Sequence, residues 1–295
     1  MIRAALLLVL LLGAIPLHAE PTAATLFAGK DTPSDQKPMP IGSYSRGCAA
    51  GLVQLPESGP GWQVMRLSRN RNWGQPVLVD YLMDLSGYAQ KAGWNGIYVG
   101  DMSQPRGGPM NSGHASHQIG LDVDIWALPA GRLDLSRKER ESISTISIRT
   151  DDELSVNGNW NSSYAAFLKL AASDPRVDRI FVAAAIKKEL CKSATRADKK
   201  WLQHIRPERG HNDHFHIRLK CPKGASLCDT QKPTVTELSR NGDGCDETLA
   251  WWFSDDYFHP KPQPKPQKPV PHKKGSREFT MADLPSQCVA VLSSP

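Results

Sequence analysis

The stretch Ser112–Trp126 reads SGHASHQIGLDVDIW, and its second half alternates between apolar and acidic residues. Because alternate side chains of a β-strand point to opposite faces, Asp122 and Asp124 share one face and the aliphatic residues beside them pack into the core. His114 and His117 lie just before this alternation, in a segment that contains glycine and serine. The stretch therefore predicts a strand that presents two carboxylates beside two histidines.

A second stretch, His211–Leu219, repeats the pattern with the sequence HNDHFHIRL. Here His214 and His216 share one strand face, and the apolar residues that alternate with them share the other. Five of the nine histidines of the chain lie in these two stretches, which favours a common site over a chance cluster. We therefore hypothesise that a catalytic zinc site is built across the two strands.

Zinc binds imidazole and carboxylate groups, and a catalytic zinc keeps three protein ligands and one open position. His117, Asp124 and His216 supply two imidazoles and one carboxylate. The HExxH motif of helical zinc peptidases is absent, which excludes that arrangement. Spacing alone does not decide whether Asp124 or Asp122 is the carboxylate ligand. The alternative also stays open that both carboxylates only form hydrogen bonds to a loop.

The first residues carry the features of a secretory signal peptide. Arg3 precedes an apolar run from Ala4 to Ile15, and Ala19 marks the expected cleavage site. The alternative, a membrane anchor, is disfavoured because a spanning helix needs ~20 apolar residues. We therefore expect a mature periplasmic protein without a transmembrane segment.

The charge of the chain is modestly basic. Its 295 residues include 36 Lys and Arg against 30 Asp and Glu, and loss of Arg3 with the signal leaves 35 against 30, a net charge near +5. This excess favours an anionic partner such as a cell-wall polymer. The basic residues are too dispersed to indicate nucleic-acid binding, and export also argues against it.

An even number of cysteines in an exported chain predicts disulfides. For six cysteines, spacing alone leaves fifteen connectivities open. No CxxC pair occurs, which disfavours a cysteine metal site. The six residues are Cys48, Cys191, Cys221, Cys228, Cys245 and Cys288.

Periodicity and capping residues predict further elements. Residues 20–60 are rich in Pro, Gly and Ser and read as an extended arm. Asp80 predicts a helix from Tyr81 to Ala92, after short strands at 63–67 and 76–79. The other predicted elements are a strand at 97–99, a helix at 164–172 capped by Asn161 or Ser162, a strand at 177–182, and helices at 183–191 and 197–205.

The histidine motifs resemble those of the penicillin-insensitive murein endopeptidases. These enzymes belong to a zinc peptidase group that includes lysostaphin-type enzymes, D-Ala-D-Ala metallopeptidases and the hedgehog signalling domain. The group is marked by His-x6-Asp and a later His-x-His, which here are His117 to Asp124 and His214 to His216. The resemblance extends to Asp174–Val182 and to all six cysteines, so it covers most of the mature chain.

The resemblance implies a role for each residue of the two stretches. It implies that the zinc ligands are His117, Asp124 and His216. It makes His214 the general base and His211 a second catalytic or transition-state-stabilising histidine.

The resemblance also bears on residues beyond this set. His114 matches a family histidine near the metal. Asp151 matches the acid of a second metal position that the family can show, but Leu154 stands where its histidine would be. We therefore expect one zinc ion, and a second at Asp151 is disfavoured.

The disulfides implied by the resemblance are Cys48–Cys288, Cys191–Cys245 and Cys221–Cys228. With these pairs the chain divides into a signal peptide at 1–19, a metallopeptidase domain at 20–258 and a Pro- and Lys-rich segment at 259–295. The last segment would be tied back to the body of the protein through Cys288.

The implied fold is α+β, with a small, mostly antiparallel sheet that carries the zinc site and helices that pack against it. The implied function is hydrolysis of the D-alanyl–diaminopimelyl cross-link of peptidoglycan by metal-activated water. Two alternatives remain open from the sequence: a D-Ala-D-Ala carboxypeptidase, and a non-catalytic zinc-containing module that binds the cell wall.

Overall fold

The computed structural model describes residues 20–262 and 271–295, so the expected signal peptide and the middle of the Pro- and Lys-rich segment lie outside the described residues. The β-strands are Met39–Ser43 (β1), Arg46–Ala50 (β2), Val53–Gln54 (β3), Ser58–Gly59 (β4), Trp62–Val64 (β5), Trp73–Gly74 (β6), Ile97–Val99 (β7), Asp122–Trp126 (β8), Val177–Val182 (β9), Ile205–Pro207 (β10) and His214–Leu219 (β11). The α-helices are Ala23–Ala28 (α1), Pro76–Lys91 (α2), Arg137–Ser142 (α3), Ser162–Ser173 (α4), Ala184–Cys191 (α5), Lys199–His204 (α6), Val235–Leu238 (α7), Glu247–Ala250 (α8), Asp255–Phe258 (α9) and Gln287–Ser293 (α10).

The main sheet has seven strands in the order β10-β9-β11-β8-β7-β5-β4. β11 pairs antiparallel with both β9 and β8, and β8 pairs antiparallel with β7. Only the β10–β9 and β5–β7 pairs of this sheet are parallel. The fold is therefore α+β with a mostly antiparallel main sheet, and two small two-stranded sheets accompany it.

The two histidine-bearing stretches form β8 and β11, which lie side by side in the sheet. Their apolar residues are fully buried in the core that helices α2 and α4 cover; these residues are Val123, Ile125, Phe215, Ile217 and Leu219. The ring of Phe167 in α4, for example, lies 6.1 Å from the ring of Phe215. The predicted alternation of core and site residues along both strands is confirmed.

Helix α2 begins earlier than the sequence predicted. Pro76 is its first residue, so the strand predicted at 76–79 and the cap predicted at Asp80 are both wrong. Proline suits this position because its fixed φ is already helical and no intrahelical bond needs its missing N–H. The buried residues Leu78, Leu82 and Leu85 repeat at helical spacing, and their burial outweighs the strand preference of the valines beside them.

Residues 20–60 are not an extended arm, since they contain α1 and the β1–β2 hairpin. Their apolar side chains find partners at the far end of the chain. Phe27 and Ile41 belong to a buried cluster that also holds Phe279 and Val291. The composition of the arm could not predict this structure because the residues that bury it are more than two hundred positions away.

Several other elements follow their sequence signals closely. Helix α4 begins at Ser162, and the side chain of its cap, Asn161, accepts a hydrogen bond from the backbone N–H of Ser163 at 2.9 Å. The predicted strand at 177–182 is β9, and the predicted helix at 183–191 is α5. The helix predicted at 197–205 is divided into a 3-10 turn, Arg196–Asp198, and α6.

Three disulfides are present, and they are the three pairs that the resemblance implied: Cys48–Cys288, Cys191–Cys245 and Cys221–Cys228. The first joins β2 to α10 and so fixes residues 271–295, here called the C-terminal strap, against the N-terminal hairpin. Arg106 holds the end of this strap by donating hydrogen bonds to the backbone carbonyls of Val291, Leu292, Ser294 and Pro295. Within the described residues, no helix has the length and apolar character needed to cross a bilayer.

Replacement of Cys48 and Cys288 by alanine should lower the free energy of unfolding by roughly 5 kcal/mol, because this bond restrains a very long loop of the unfolded chain. The two cysteines are separated by 240 positions. The matched control replaces Cys221 and Cys228, which are separated by 7 positions and should contribute roughly 2 kcal/mol. Urea unfolding monitored by tryptophan fluorescence measures both losses, and equal losses would contradict the loop argument.

Candidate metal centre

The register of β8 and β11 sets the geometry of the site. His216 lies directly opposite Asp124, and Arg218 lies directly opposite Asp122. All four side chains are on the face of the sheet opposite the apolar residues of the two strands, since they occupy the alternate positions. The sheet therefore brings together two stretches that are about ninety positions apart in the sequence.

Three side chains converge on one point. Nε2 of His117 lies 3.4 Å from Oδ1 of Asp124, and Nδ1 of His216 lies 3.1 Å from the same oxygen. The two ring nitrogens are 3.2 Å apart. Donor atoms at ~2.0–2.2 Å from a tetrahedral zinc ion are separated by roughly 3.3–3.6 Å, so these three atoms have nearly the spacing that such an ion needs.

One of the three converging atoms has no hydrogen-bond partner. Oδ1 of Asp124 is buried, and nothing among the described residues donates a hydrogen bond to it. Leaving a buried carboxylate oxygen unpaired is unfavourable, so this atom indicates a missing ligand. A cation bound at Asp124 would satisfy its carboxylate. The residues present therefore fit a zinc ion.

The backbone of His117 is held in an unusual conformation. Its φ is +66°, a left-handed value that is uncommon for a residue other than glycine. The N–H of His117 donates to Oδ2 of Asp122 at 3.0 Å, and its carbonyl accepts a hydrogen bond from the Ser103 hydroxyl at 2.5 Å. These two contacts fix the direction of the imidazole.

Asp122, the other acid of β8, is occupied by a different partner. Arg218 donates to both of its oxygens, at 2.7 and 3.0 Å, and both residues are buried. Burial alone would raise the pKa of Asp122, but Arg218 and then His216 outweigh it, so the pKa lies far below its usual value. Oδ1 of Asp122 also lies 3.3 Å from Nε2 of His216, without a well-directed hydrogen bond. Asp122 therefore supports the ring that Asp124 faces.

His114 lies on the open side of the group. Its Nε2 is 3.0 Å from Oδ2 of Asp101 and 3.4 Å from Oδ2 of Asp124. His114, His117 and Asp124 form a second combination of ligand atoms that lie within 4.8 Å of one another. The structure thus brings His114 into the same group of side chains.

Asp101 is a site residue that the sequence reasoning missed. It is buried, and it accepts hydrogen bonds from Arg71 at 2.9 Å and Arg69 at 3.1 Å. Burial alone would raise the pKa of Asp101. His114 and the two arginines outweigh this effect, so the pKa falls to about 2. The position of Asp101 in the sequence could have indicated it. Asp101 follows strand β7, which was predicted and which pairs with β8. A polar residue at the end of a strand next to a site is a candidate member of that site.

His214 and His211 lie beside the three converging side chains. Nδ1 of His214 donates to Oδ1 of Asp213 at 2.7 Å, and its Nε2 lies 3.8 Å from Oδ1 of Asp124. Burial lowers the pKa of His214, but Asp124 and Asp213 outweigh it, so its pKa lies above the usual value. Nδ1 of His211 donates to the carbonyl of Arg209 at 2.8 Å. Burial, reinforced by His216 and His214, lowers the pKa of His211 to about 4.

Asp151 does not join this group. It is exposed in a turn, and within the described residues no hydrogen bond or ion pair connects it to the site histidines. Leu154, which stands where the resemblance would place the histidine of a second metal position, is also exposed. No combination of ligand atoms in the described parts of the chain includes Asp151.

The group opens into a cleft with a volume of about 360 Å³. Its lining includes Asp124, His114, His214, Asp213, Arg66 and Arg69. Two imidazoles and a carboxylate beside an open cleft, with further histidines close by, can hold a metal ion. The group is therefore a candidate metal centre.

Comparison with known proteins names the family. A family model described as penicillin-insensitive murein endopeptidase matches residues 40–293. The chain belongs to this family.

Relatives with the name penicillin-insensitive murein endopeptidase match along most of the chain. The one from Haemophilus influenzae is 41% identical over 261 residues, which cover 88% of this chain and 85% of the relative. One from Klebsiella pneumoniae subsp. pneumoniae is 38% identical over 271 residues, or 92% of both chains. One from Salmonella typhi is 40% identical over 253 residues, or 85% of both chains.

Substitution Asp122→Asn should lower the free energy of unfolding by about 3 kcal/mol, because Arg218 would keep its charge in a buried position without a carboxylate. The matched control is Asp84→Asn, which removes an exposed acid from Arg176 and leaves that arginine its second partner, Asp174. The control should cost less than about 1 kcal/mol. Urea unfolding of both variants measures the difference, and a loss in Asp122→Asn no larger than that of the control would contradict a supporting role for this ion pair.

Proposed function

We propose that the protein is a zinc-dependent endopeptidase of peptidoglycan that hydrolyses the cross-link between D-alanine and meso-diaminopimelate. Family membership and the names of the relatives support a murein endopeptidase. The observation that carries the zinc dependence is the convergence of three ligand atoms at 3.1–3.4 Å, one of which, the buried Oδ1 of Asp124, has no hydrogen-bond partner.

His117, Asp124 and His216 would hold the zinc ion, and His114 would stand beside it. Bound zinc supplies a Lewis acid for the scissile carbonyl and lowers the pKa of a water molecule towards ~7. His216 would bind through Nδ1, since its Nε2 faces Asp122. A carboxylate behind a ligating imidazole orients the ring and raises its basicity.

His214 is the proposed general base. Its Nδ1–H is engaged by Asp213, so Nε2 of the neutral ring is left as the proton acceptor. That nitrogen faces Asp124 and the cleft, where it can take a proton from the attacking water and return it to the leaving amine. No acyl-enzyme and no catalytic serine is needed, which would account for insensitivity to penicillins, because these inhibitors acylate a serine.

His211 is the proposed second catalytic histidine. Its low pKa keeps the ring neutral at neutral pH, and its donated Nδ1–H leaves Nε2 as an acceptor in the same way as in His214. The two rings lie 5.0 Å apart between centroids. Two imidazoles with separated pKa values suit a reaction in which a proton is taken up and released.

The proposed location is the periplasm. Three disulfides are compatible with an oxidising compartment, and peptidoglycan, the proposed partner, lies there. The expected signal peptide at residues 1–19 would direct export.

Purified mature protein should convert cross-linked muropeptide dimers into monomers, and a chelator should abolish the conversion, because the carbonyl and the water both need the metal. Mass spectrometry of the products measures the reaction. Release of a single alanine would contradict this function and indicate a D-Ala-D-Ala carboxypeptidase. No reaction with zinc bound would indicate a wall-binding module.

The matched variants in this experiment are His216→Ala and His259→Ala. The first should lose both zinc and activity, since it removes one of three ligands. The second changes an exposed histidine outside the cleft and should behave as the wild type. Full activity of His216→Ala without bound zinc would refute the assignment.

Substitution His214→Ala should retain zinc and lower kcat by a factor of ~100–10,000, which is the usual contribution of a general base. Zinc content by elemental analysis and turnover of the dimer measure the two effects separately. Asp213→Asn, which keeps the ring but weakens its carboxylate partner, should give a smaller loss. Unchanged turnover of His214→Ala would remove His214 from the proposed mechanism.

A further inference from the structure

A short turn contributes two arginines to the lining of the cleft. Residues Leu67–Arg69 make a 3-10 turn, and Arg66 and Asn70 on either side have φ values of +56° and +50°. Left-handed backbone at two residues other than glycine costs free energy, so other contacts must hold it. The N–H of Arg66 donates to the carbonyl of Arg140 at 3.2 Å. The turn places the side chains of Arg66 and Arg69 on the wall of the cleft.

Arg66 is fixed in place without a carboxylate partner. Its guanidinium donates to the backbone carbonyls of Glu141 and Arg140, and it lies 5.4 Å above the ring of Trp126. The carboxylate of Glu141 is used elsewhere, since it accepts hydrogen bonds from the backbone and the hydroxyl of Ser68 at 2.8 and 2.9 Å. In the described part of the chain, no acidic group lies within ion-pair distance of Arg66.

Among the described residues, Arg69 has one acidic partner, Asp101, which it shares with Arg71. Asp101 accepts hydrogen bonds from both Arg71 and Arg69, and Nε2 of His114 lies against the same oxygen at 3.0 Å. Arg71 is buried, whereas the side chain of Arg69 is 49% exposed and faces the cleft. One carboxylate therefore serves two arginines and a histidine.

The acids that line the cleft are all engaged. Asp101 is bound to arginines, Asp124 faces the site histidines, and Asp213 is bound to His214. Among the described residues, Arg66 therefore has no acidic partner, and Arg69 shares Asp101 with Arg71. A planar guanidinium with free N–H groups is well suited to bind a carboxylate of a ligand.

The proposed substrate has a carboxylate in the matching place. In the D-alanyl–diaminopimelyl cross-link, the carbon that bears the scissile amide nitrogen also bears a free carboxylate. This carboxylate is only two bonds from the scissile nitrogen, and Arg66 and Arg69 line the same cleft as Asp124. We propose that Arg66 and Arg69 form the subsite that binds this carboxylate and so select cross-links whose diaminopimelate is not amidated. The proposal rests on the function proposed above.

The test compares two muropeptide dimers that differ only at this carbon, one with the free carboxylate and one with a carboxamide. The wild type should cleave the free acid with a kcat/KM about 10- to 100-fold higher, the effect expected for hydrogen bonds to a charged group. Arg66→Gln and Arg69→Gln should lose most of this preference, mainly through a higher KM for the free acid, and should change little on the carboxamide.

The matched control is Arg137→Gln, which removes an exposed arginine paired with Glu57 and should keep the full preference. Zinc content and thermal unfolding establish that each variant is folded. If Arg66→Gln does not fold, the subsite is still tested by Arg69→Gln and by the preference of the wild type for the free acid over the carboxamide.

Equal cleavage of both dimers by the wild type would overturn the subsite, and so would a preference that survives both substitutions. Failure of the wild type to cleave either dimer would overturn the proposed function itself, which is a different result.

Discussion

The buried ion pair between Asp122 and Arg218 is the interaction on which the site depends. It joins the two central strands of the sheet on the face that carries the ligands. The same carboxylate binds the backbone of His117 and lies behind the ring of His216. A slip of one residue in the register would turn these acids into the apolar core, so the ion pair and the alternation of the strands specify the same register.

The sequence predicted the two strands that carry the candidate site better than the periphery of the fold, for a physical reason. Alternation of residue types along β8 and β11 is a local pattern that predicts which side chains share a face of the sheet. The strands of the structure agree with this prediction. The choice between Asp122 and Asp124 was not local. It depends on Arg218 lying opposite one acid and His216 opposite the other, which only the strand register reveals. Asp101 was missed because its partners come from separate parts of the chain.

The site and its cleft combine two kinds of cationic side chain. Two neighbouring imidazoles have pKa values that are pushed apart, with His211 lowered by burial and His214 raised by the carboxylates beside it. Arg66 and Arg69 add guanidinium groups to the lining of the cleft. The imidazoles suit the exchange of protons, and the guanidinium groups suit the binding of an anionic group.

The C-terminal strap makes the last part of the chain a component of the site. Nη2 of Arg277 donates to the carbonyl of Gly113, next to His114, and Cys288 is bonded to Cys48. Both contacts need residues that the ribosome adds long after the segments they contact, 164 positions later for Arg277 and 240 positions later for Cys288. A nascent chain that has emerged only in part has neither contact, so its histidine loop lacks this support. On the proposed export route, the protein would be completed after the whole chain has left the cytoplasm, on the side of the membrane where its substrate lies.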